Sequence, residues 1–167
     1  MAHARGLTAI AAPCVNSYKR LVSRGSRSGA TWAPINIAYG NNNRTAFVRG
    51  PGGRLELRVR DASANPYLLT AAIIHAGLDG IRRKLDPGEP CNENLHQLSV
   101  AELRSRGISR LPASLTESID ALESDEVLCK GLGKAFVAEF SQVKRAEVDE
   151  LQLQVSPAEF RKYVDFF

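Results

Sequence analysis

The chain has 167 residues, of which 44% are apolar and 24% charged, with a formal net charge of +4. That length suits one globular unit with its own core, and the composition is too polar for a membrane span. Cys14, Cys91 and Cys129 are widely separated, with no Cys-x-x-Cys and no histidine at zinc-ligand spacing, so neither a disulfide framework nor a structural metal centre is supported.

The Met-Ala-His-Ala opening lacks the charged start, apolar core and cleavage site of a secretory leader. With free thiols, this points to the cytoplasm. Through Arg60 there are ten Lys or Arg and one acid, Glu56, a balance of +9; from Asp61 onward twelve bases meet seventeen acids, a balance of −5. An anion is therefore expected on the first half, with a solvated basic surface as the alternative.

In chain order, "AHARGLTAIAAPCVNSYKRL" reads as an apolar helix stopped by Pro13, with turn chemistry at Asn16-Ser17. Residues 23–31, rich in Gly, Ser and Arg, read as a loop. "WAPINIAYG", "NNNRTAFVRG" and Arg54 to Arg60 read as three strands, the last two joined by a turn at Pro51-Gly52-Gly53, so 35–60 is expected to be an antiparallel meander. The period then turns helical, with Asn65 as N-cap, Pro66 at the first helical position and Arg82-Arg83-Lys84 at the cationic end. Further helices are expected over "SVAELRSRG", capped by Ser99 with Glu102, over "LTESIDALES" with Thr116 as cap, over 131–153, and from Ser156-Pro157 onward. The expected fold class is α+β: a small antiparallel sheet followed by helices.

In "GRLELRVRD", Leu55, Leu57 and Val59 share one parity and Arg54, Glu56, Arg58 and Arg60 the other. Such a face cannot be buried dry, because each unpaired charge would cost several kcal/mol, on the order of the penalties known for buried ions. It meets water, an anion or a metal; an exposed edge strand protected by charge is the competing reading. Arg44 and Arg49 on the preceding segment favour the anion.

Four stretches, "NSYKRL" (16–21), "NRTAFVR" (43–49), "RLELRVRDASANPYL" (54–68) and "AGLDGIRRKLDPGEP" (76–90), resemble glutamine synthetase in order and approximate spacing. The resemblance spans nearly all of residues 1–167 and implies the C-terminal part of that family's catalytic domain, without its N-terminal β-rich domain or the first half of the catalytic domain. It implies ATP-dependent amide formation from glutamate and ammonia through γ-glutamyl phosphate, in a large homo-oligomer, with Mg²⁺ or Mn²⁺ and no nucleic-acid or membrane partner. By the same resemblance Arg20 and Arg58 bind glutamate, Arg44 serves glutamate and nucleotide and acts catalytically, Arg49 faces ATP, and Glu56 ligates the metal.

Some features depart from the family pattern. Most metal-binding glutamates lie upstream in the family. A flap glutamate position falls on Trp32, in a "SGATWAP" segment closer to the type III and γ-glutamylmethylamide synthetase branch, which brings in methylamine or another small amine as the alternative acceptor. The loop between Arg49 and Arg54 lacks a nucleotide-binding lysine, and "NLHQL" has His96 where bacterial enzymes carry a modified tyrosine. His75 and His96 read as packing or surface residues. A non-catalytic remnant that binds nucleotide weakly is the other alternative.

Overall fold

The computed structural model describes residues 1–21 and 33–166. Trp32 and the loop 23–31 lie outside the described residues. Helix α1 (Ala4–Ala11) buries all of its residues except Arg5, and it stops short of Pro13, whose ring removes an amide donor and disfavours helix before it. A 3₁₀ turn, Val15–Arg20, follows. Tyr18 at its centre donates its hydroxyl to Ser118 Oγ at 2.6 Å, tying the turn to the later helices.

The sheet holds β1 (Asn36–Asn41), β2 (Ala46–Gly50), β3 (Glu56–Leu57) and β4 (Ser109–Arg110), ordered β3-β2-β1-β4. The α+β layout is as expected, but the meander is not: β1 and β2 run parallel, and only the β1–β4 and β2–β3 pairs are antiparallel. A hairpin would reverse direction once. Here residues 42–45 carry the chain back along β1 before β2 begins, with Asn42 at φ 55° making the turn and its amide donating to the Gly50 carbonyl at 3.0 Å. Five residue steps reach about 17 Å when extended, just enough to retrace a six-residue strand.

The third strand is also shorter than its parity implies. Arg58 N still donates to the Phe47 carbonyl at 2.9 Å, but the ladder ends because the next backbone groups go elsewhere. The Val59 carbonyl accepts from Arg20, and Asp61 N donates to the Ala11 carbonyl at 3.1 Å. Val59 is fully buried, whereas Leu55, of the same parity, is 78% exposed.

Helix α2 (Pro66–Arg82) starts as expected, with Asn65 Oδ1 accepting from Tyr67 N at 2.9 Å and Leu68 N at 3.3 Å. Ser99 and Glu102 form the expected reciprocal cap of α3 (Val100–Ser105). Helix α4 (Leu115–Glu123) is capped by Ser114 rather than Thr116: Ser114 Oγ accepts from Glu117 N at 3.2 Å, and Thr116 falls inside the first turn. The segment 131–153 is divided, because Gly133 at φ 93° separates α5 (Glu126–Leu132) from α6 (Lys134–Gln152), a conformation L-residues rarely adopt. Helix α7 (Pro157–Tyr163) has no buried residue.

Helix α1 packs on α4, α2 on α5 and α4 on α6, around Ile10, Phe47, Ile119, Leu122 and Leu128. Each such side chain contributes about 1.5–3 kcal/mol on burial. His3 joins three elements: its Nδ1 lies 2.8 Å from Asp125 Oδ2, next to α5, and its Nε2 lies 2.9 Å from Asp79 Oδ2 in α2. Among the described residues no helix is long and apolar enough to cross a membrane.

Candidate functional site

The crossover between β1 and β2 presents Arg44, and a buried asparagine shapes it. Asn43 Nδ2 donates to the Cys91 carbonyl at 2.7 Å and the Glu93 carbonyl at 2.8 Å, while its Oδ1 accepts from Thr45 N at 2.9 Å and Thr45 Oγ1 at 2.7 Å. With both ends of the amide satisfied, the loop is pinned to the 91–93 segment and Arg44 is left exposed. Among the described residues its guanidinium makes no hydrogen bond. The same segment crowds Gly40, where a Cβ would stand 2.2 Å from the Cys91 carbonyl oxygen.

Arg49 and Glu56 are register partners across β2 and β3. Arg49 Nη1 donates to Glu56 Oε2 at 2.8 Å. Its other edge is held by Asn42 Oδ1, which accepts from Nε at 3.0 Å and also from Nη2. Glu56 Oε1 receives Arg54 Nη2 at 3.0 Å and Nε at 3.2 Å, and Arg58 Nη1 stands 3.9 Å from Oε2. Arg58 Nε donates to the Arg44 carbonyl at 2.9 Å. Arg49, Arg54 and Arg58 thus gather round one carboxylate, three guanidinium groups to one acid, and Arg44 adjoins them through its carbonyl bond from Arg58.

Charge and burial oppose each other here. The donors from Arg49, then those from Arg54, hold the Glu56 carboxyl below the usual carboxylate range. Burial is the main cause lowering the Arg58 guanidinium's proton affinity, followed by repulsion from Arg49, with Glu56 opposing and Arg44 adding. The guanidinium groups stay cationic at working pH. A carboxylate or phosphate arriving at this surface finds planar donors whose mutual repulsion one glutamate only partly offsets.

Arg20 meets the same segment one residue beyond Arg58. Its Nη2 donates to the Val59 carbonyl, its buried Nε has no partner among the described residues, and burial lowers its proton affinity against the pull of Asp61. An open groove beside it is lined by Asn16, Ser17, Lys19, Asp61 and Ser63.

All five residues singled out from the sequence therefore lie on or against the 44–61 segment. Sequence reasoning missed the Arg54 contact to Glu56, and it missed Asn42 and Asn43 as the residues that orient Arg49 and Arg44. The Asn-Asn-Asn run before Arg44 was the available signal, since asparagine accepts positive φ and bonds nearby backbone. His96 is half-buried in the turn after Asn94, and burial lowers its pKa.

The described residues contain no group of three or more His, Cys, Asp or Glu able to hold a metal. Both Glu56 oxygens already take guanidinium donors. These residues do not form a metal centre by themselves, and no step below is routed through a metal.

The family model described as the catalytic domain of glutamine synthetase matches residues 1–163. A glutamate–methylamine ligase from Methyloversatilis universalis is 52% identical over 165 residues, which is 99% of this chain and 37% of that protein. A glutamine synthetase from Methanocaldococcus jannaschii is 42% identical over 98% of this chain and 36% of its own length. Among solved structures, a GmaS–ADP complex superposes with TM-score 0.86 at 48% identity, over 98% of this chain and 37% of that one. A Plasmodium falciparum glutamine synthetase follows with TM-score 0.75 at 25% identity, over 97% and 39% of the two chains. The chain thus spans somewhat over a third of the length of the curated relatives it matches.

Proposed function

We propose a function from one premise: the chain belongs to the glutamine synthetase family, whose catalytic-domain model it matches from residue 1 to 163. It is the anion-handling, C-terminal portion of the catalytic domain of an ATP-dependent ligase that joins an amine to the side-chain carboxylate of glutamate. The observation that carries this is the guanidinium cluster around Glu56, displayed on the segment where the family resemblance is densest.

In this reading a glutamate carboxylate oxygen attacks the terminal phosphorus of ATP, the bond to ADP breaks, and γ-glutamyl phosphate forms. The amine nitrogen then attacks the acyl carbon, phosphate leaves with the bonding electrons, and the nitrogen sheds its proton. Arg20 and Arg58 bind glutamate, and Arg49 faces the ATP phosphates. Arg44, exposed and without an internal partner for its guanidinium among the described residues, stabilises the phosphoryl group in flight, where a positioned cation acts on charge absent from the ground state. Glu56, which Arg49 and Arg54 already hold, would offer one carboxylate toward a divalent cation, which would supply positive charge against the transferring phosphoryl group. Nucleotide use is supported by the ADP complex among the structural neighbours.

The amine is methylamine or ammonia. The 52% identity to a methylamine ligase, against 42% to glutamine synthetase, favours methylamine. A cytoplasmic setting goes with the free thiols Cys14, Cys91 and Cys129. A homo-oligomer goes with the exposed apolar side chains of the C-terminal segment, Val155, Phe160 and Phe166 among them.

The test is co-expression with the complementary portion of the Methyloversatilis universalis ligase, measuring glutamate-dependent ADP release with methylamine and with ammonium. Release with methylamine exceeding that with ammonium is expected. The reverse order reassigns the amine, and release with neither favours a non-catalytic chain.

A further inference from the structure

His3, the residue that opens α1, is buried, and each of its ring nitrogens faces a carboxylate oxygen. Nδ1 lies 2.8 Å from Asp125 Oδ2 and Nε2 lies 2.9 Å from Asp79 Oδ2, and the two acidic side chains are only 12% and 15% exposed. A neutral imidazole carries one N–H, so one of its nitrogens would turn a lone pair toward a carboxylate oxygen at hydrogen-bonding distance. Only the imidazolium donates to both. Each carboxylate is also engaged as an anion: Asp79 Oδ2 accepts from Arg83 Nη1 at 3.0 Å, and Asp125 Oδ1 accepts from Leu128 N at 3.0 Å as the cap of α5. The hydrogen bond from His3 is the largest cause holding the Asp79 carboxyl below the usual carboxylate range, with Arg83 adding to it and desolvation opposing. Charge agrees. Imidazolium and guanidinium cancel two carboxylates, whereas a neutral ring would leave an excess negative charge at a site with little solvent, which burial penalises.

We infer that His3 is held as an imidazolium in the folded chain and is a pH-sensitive clasp: one proton fastens the start of α1 to α2 and to the junction of α4 and α5, and its loss releases one of the two contacts. The other titratable or charged groups on the surrounding elements are the Met1 amino group and Arg5 by α1, His75, Arg82 and Arg83 on α2, Glu123 on α4, and Glu126, Cys129 and Lys130 on α5. Of these, Arg83 alone bonds either carboxylate among the described residues, and Glu123 is taken by Arg145. An unfolded imidazole titrates near about 6.5. A folded state that keeps the proton gains stability that is full below that value and is lost as pH rises. The clasp lies within this chain and holds whether or not the chain serves a ligase.

The test follows the ring nitrogens of the three histidines by NMR of the ¹⁵N-labelled chain, assigned through bonds, together with thermal melting of wild type and His3→Gln from pH 6 to pH 9. At pH 7 His3 should show two protonated ring nitrogens, while His96, whose pKa burial lowers, should be neutral. His3→Gln keeps a donor for only one carboxylate and should melt about 3 °C or more below wild type at pH 6, the scale of one charge-assisted hydrogen bond in a chain of this size. That gap should shrink by at least half at pH 9; the Met1 amino group and the Cys129 thiol titrate in both chains and drop out of the difference. A single protonated nitrogen on His3 at pH 7 overturns the inference, as does a gap that stays constant or widens toward pH 9. Should His3→Gln fail to fold, the wild-type ring nitrogens decide alone.

Discussion

Arg49 and Glu56 face one another across β2 and β3, with Nη1 2.8 Å from Oε2, so the carboxylate that resemblance marks as a metal ligand is, in this chain, the counter-charge of an arginine cluster. Guanidinium donors keep its carboxyl below the ordinary range. A depressed folded value contributes stability that is full above the unfolded value, about 4.3, and is lost as pH falls through the folded value. Glu56→Gln should therefore melt below wild type at neutral pH, and the gap should close in acid. A gap of constant size from pH 7 to pH 3 would contradict the pairing.

Asn43 holds the crossover by four hydrogen bonds. Asn43→Ala strands the buried Cys91 carbonyl and Thr45 amide, and should cost about 2–3 kcal/mol in chemical denaturation, from unsatisfied-group penalties of about 1–3 kcal/mol. It should also reduce turnover of the reconstituted enzyme by releasing Arg44. Full activity in a destabilised variant would show that Asn43 does not position Arg44.

Gly40 stands against backbone rather than a yielding side chain. Gly40→Ala must displace the Cys91 carbonyl, whose residue is tied to β1 through Cys91 N and Tyr39 O at 2.8 Å. A loss of about 3 kcal/mol or more is expected, at the upper end for overpacking. Denaturant titration checks it, and wild-type stability would contradict the close approach.

What could be read from residues alone was local chemistry. Asn65-Pro66 starts α2 and Ser99 with Glu102 starts α3 because a cap is decided within four residues. The parallel β1–β2 pair was not legible, since its direction depends on how residues 42–45 are held by Cys91 and Glu93, far along the chain. The His3 link to Asp79 and Asp125, across 76 and 122 residues, leaves no local trace. Arg44, Arg49, Glu56 and Arg58 were named from motif resemblance; β2–β3 pairing brings Arg49 to Glu56, and Arg58 Nε reaches the Arg44 carbonyl. Which of them Glu56 bonds was beyond parity, because Arg54 reaches it along its own strand and Arg49 across the ladder.

The most direct test of the central claim compares glutamate-dependent ADP release by the reconstituted enzyme with that of Arg44→Ala. The Arg44 side chain is exposed, so the variant should melt at the wild-type temperature. Loss of one positioned cation from a phosphoryl-transfer site should lower kcat by about 100-fold or more. A variant that assembles, melts like wild type and turns over at a near-normal rate would contradict the account.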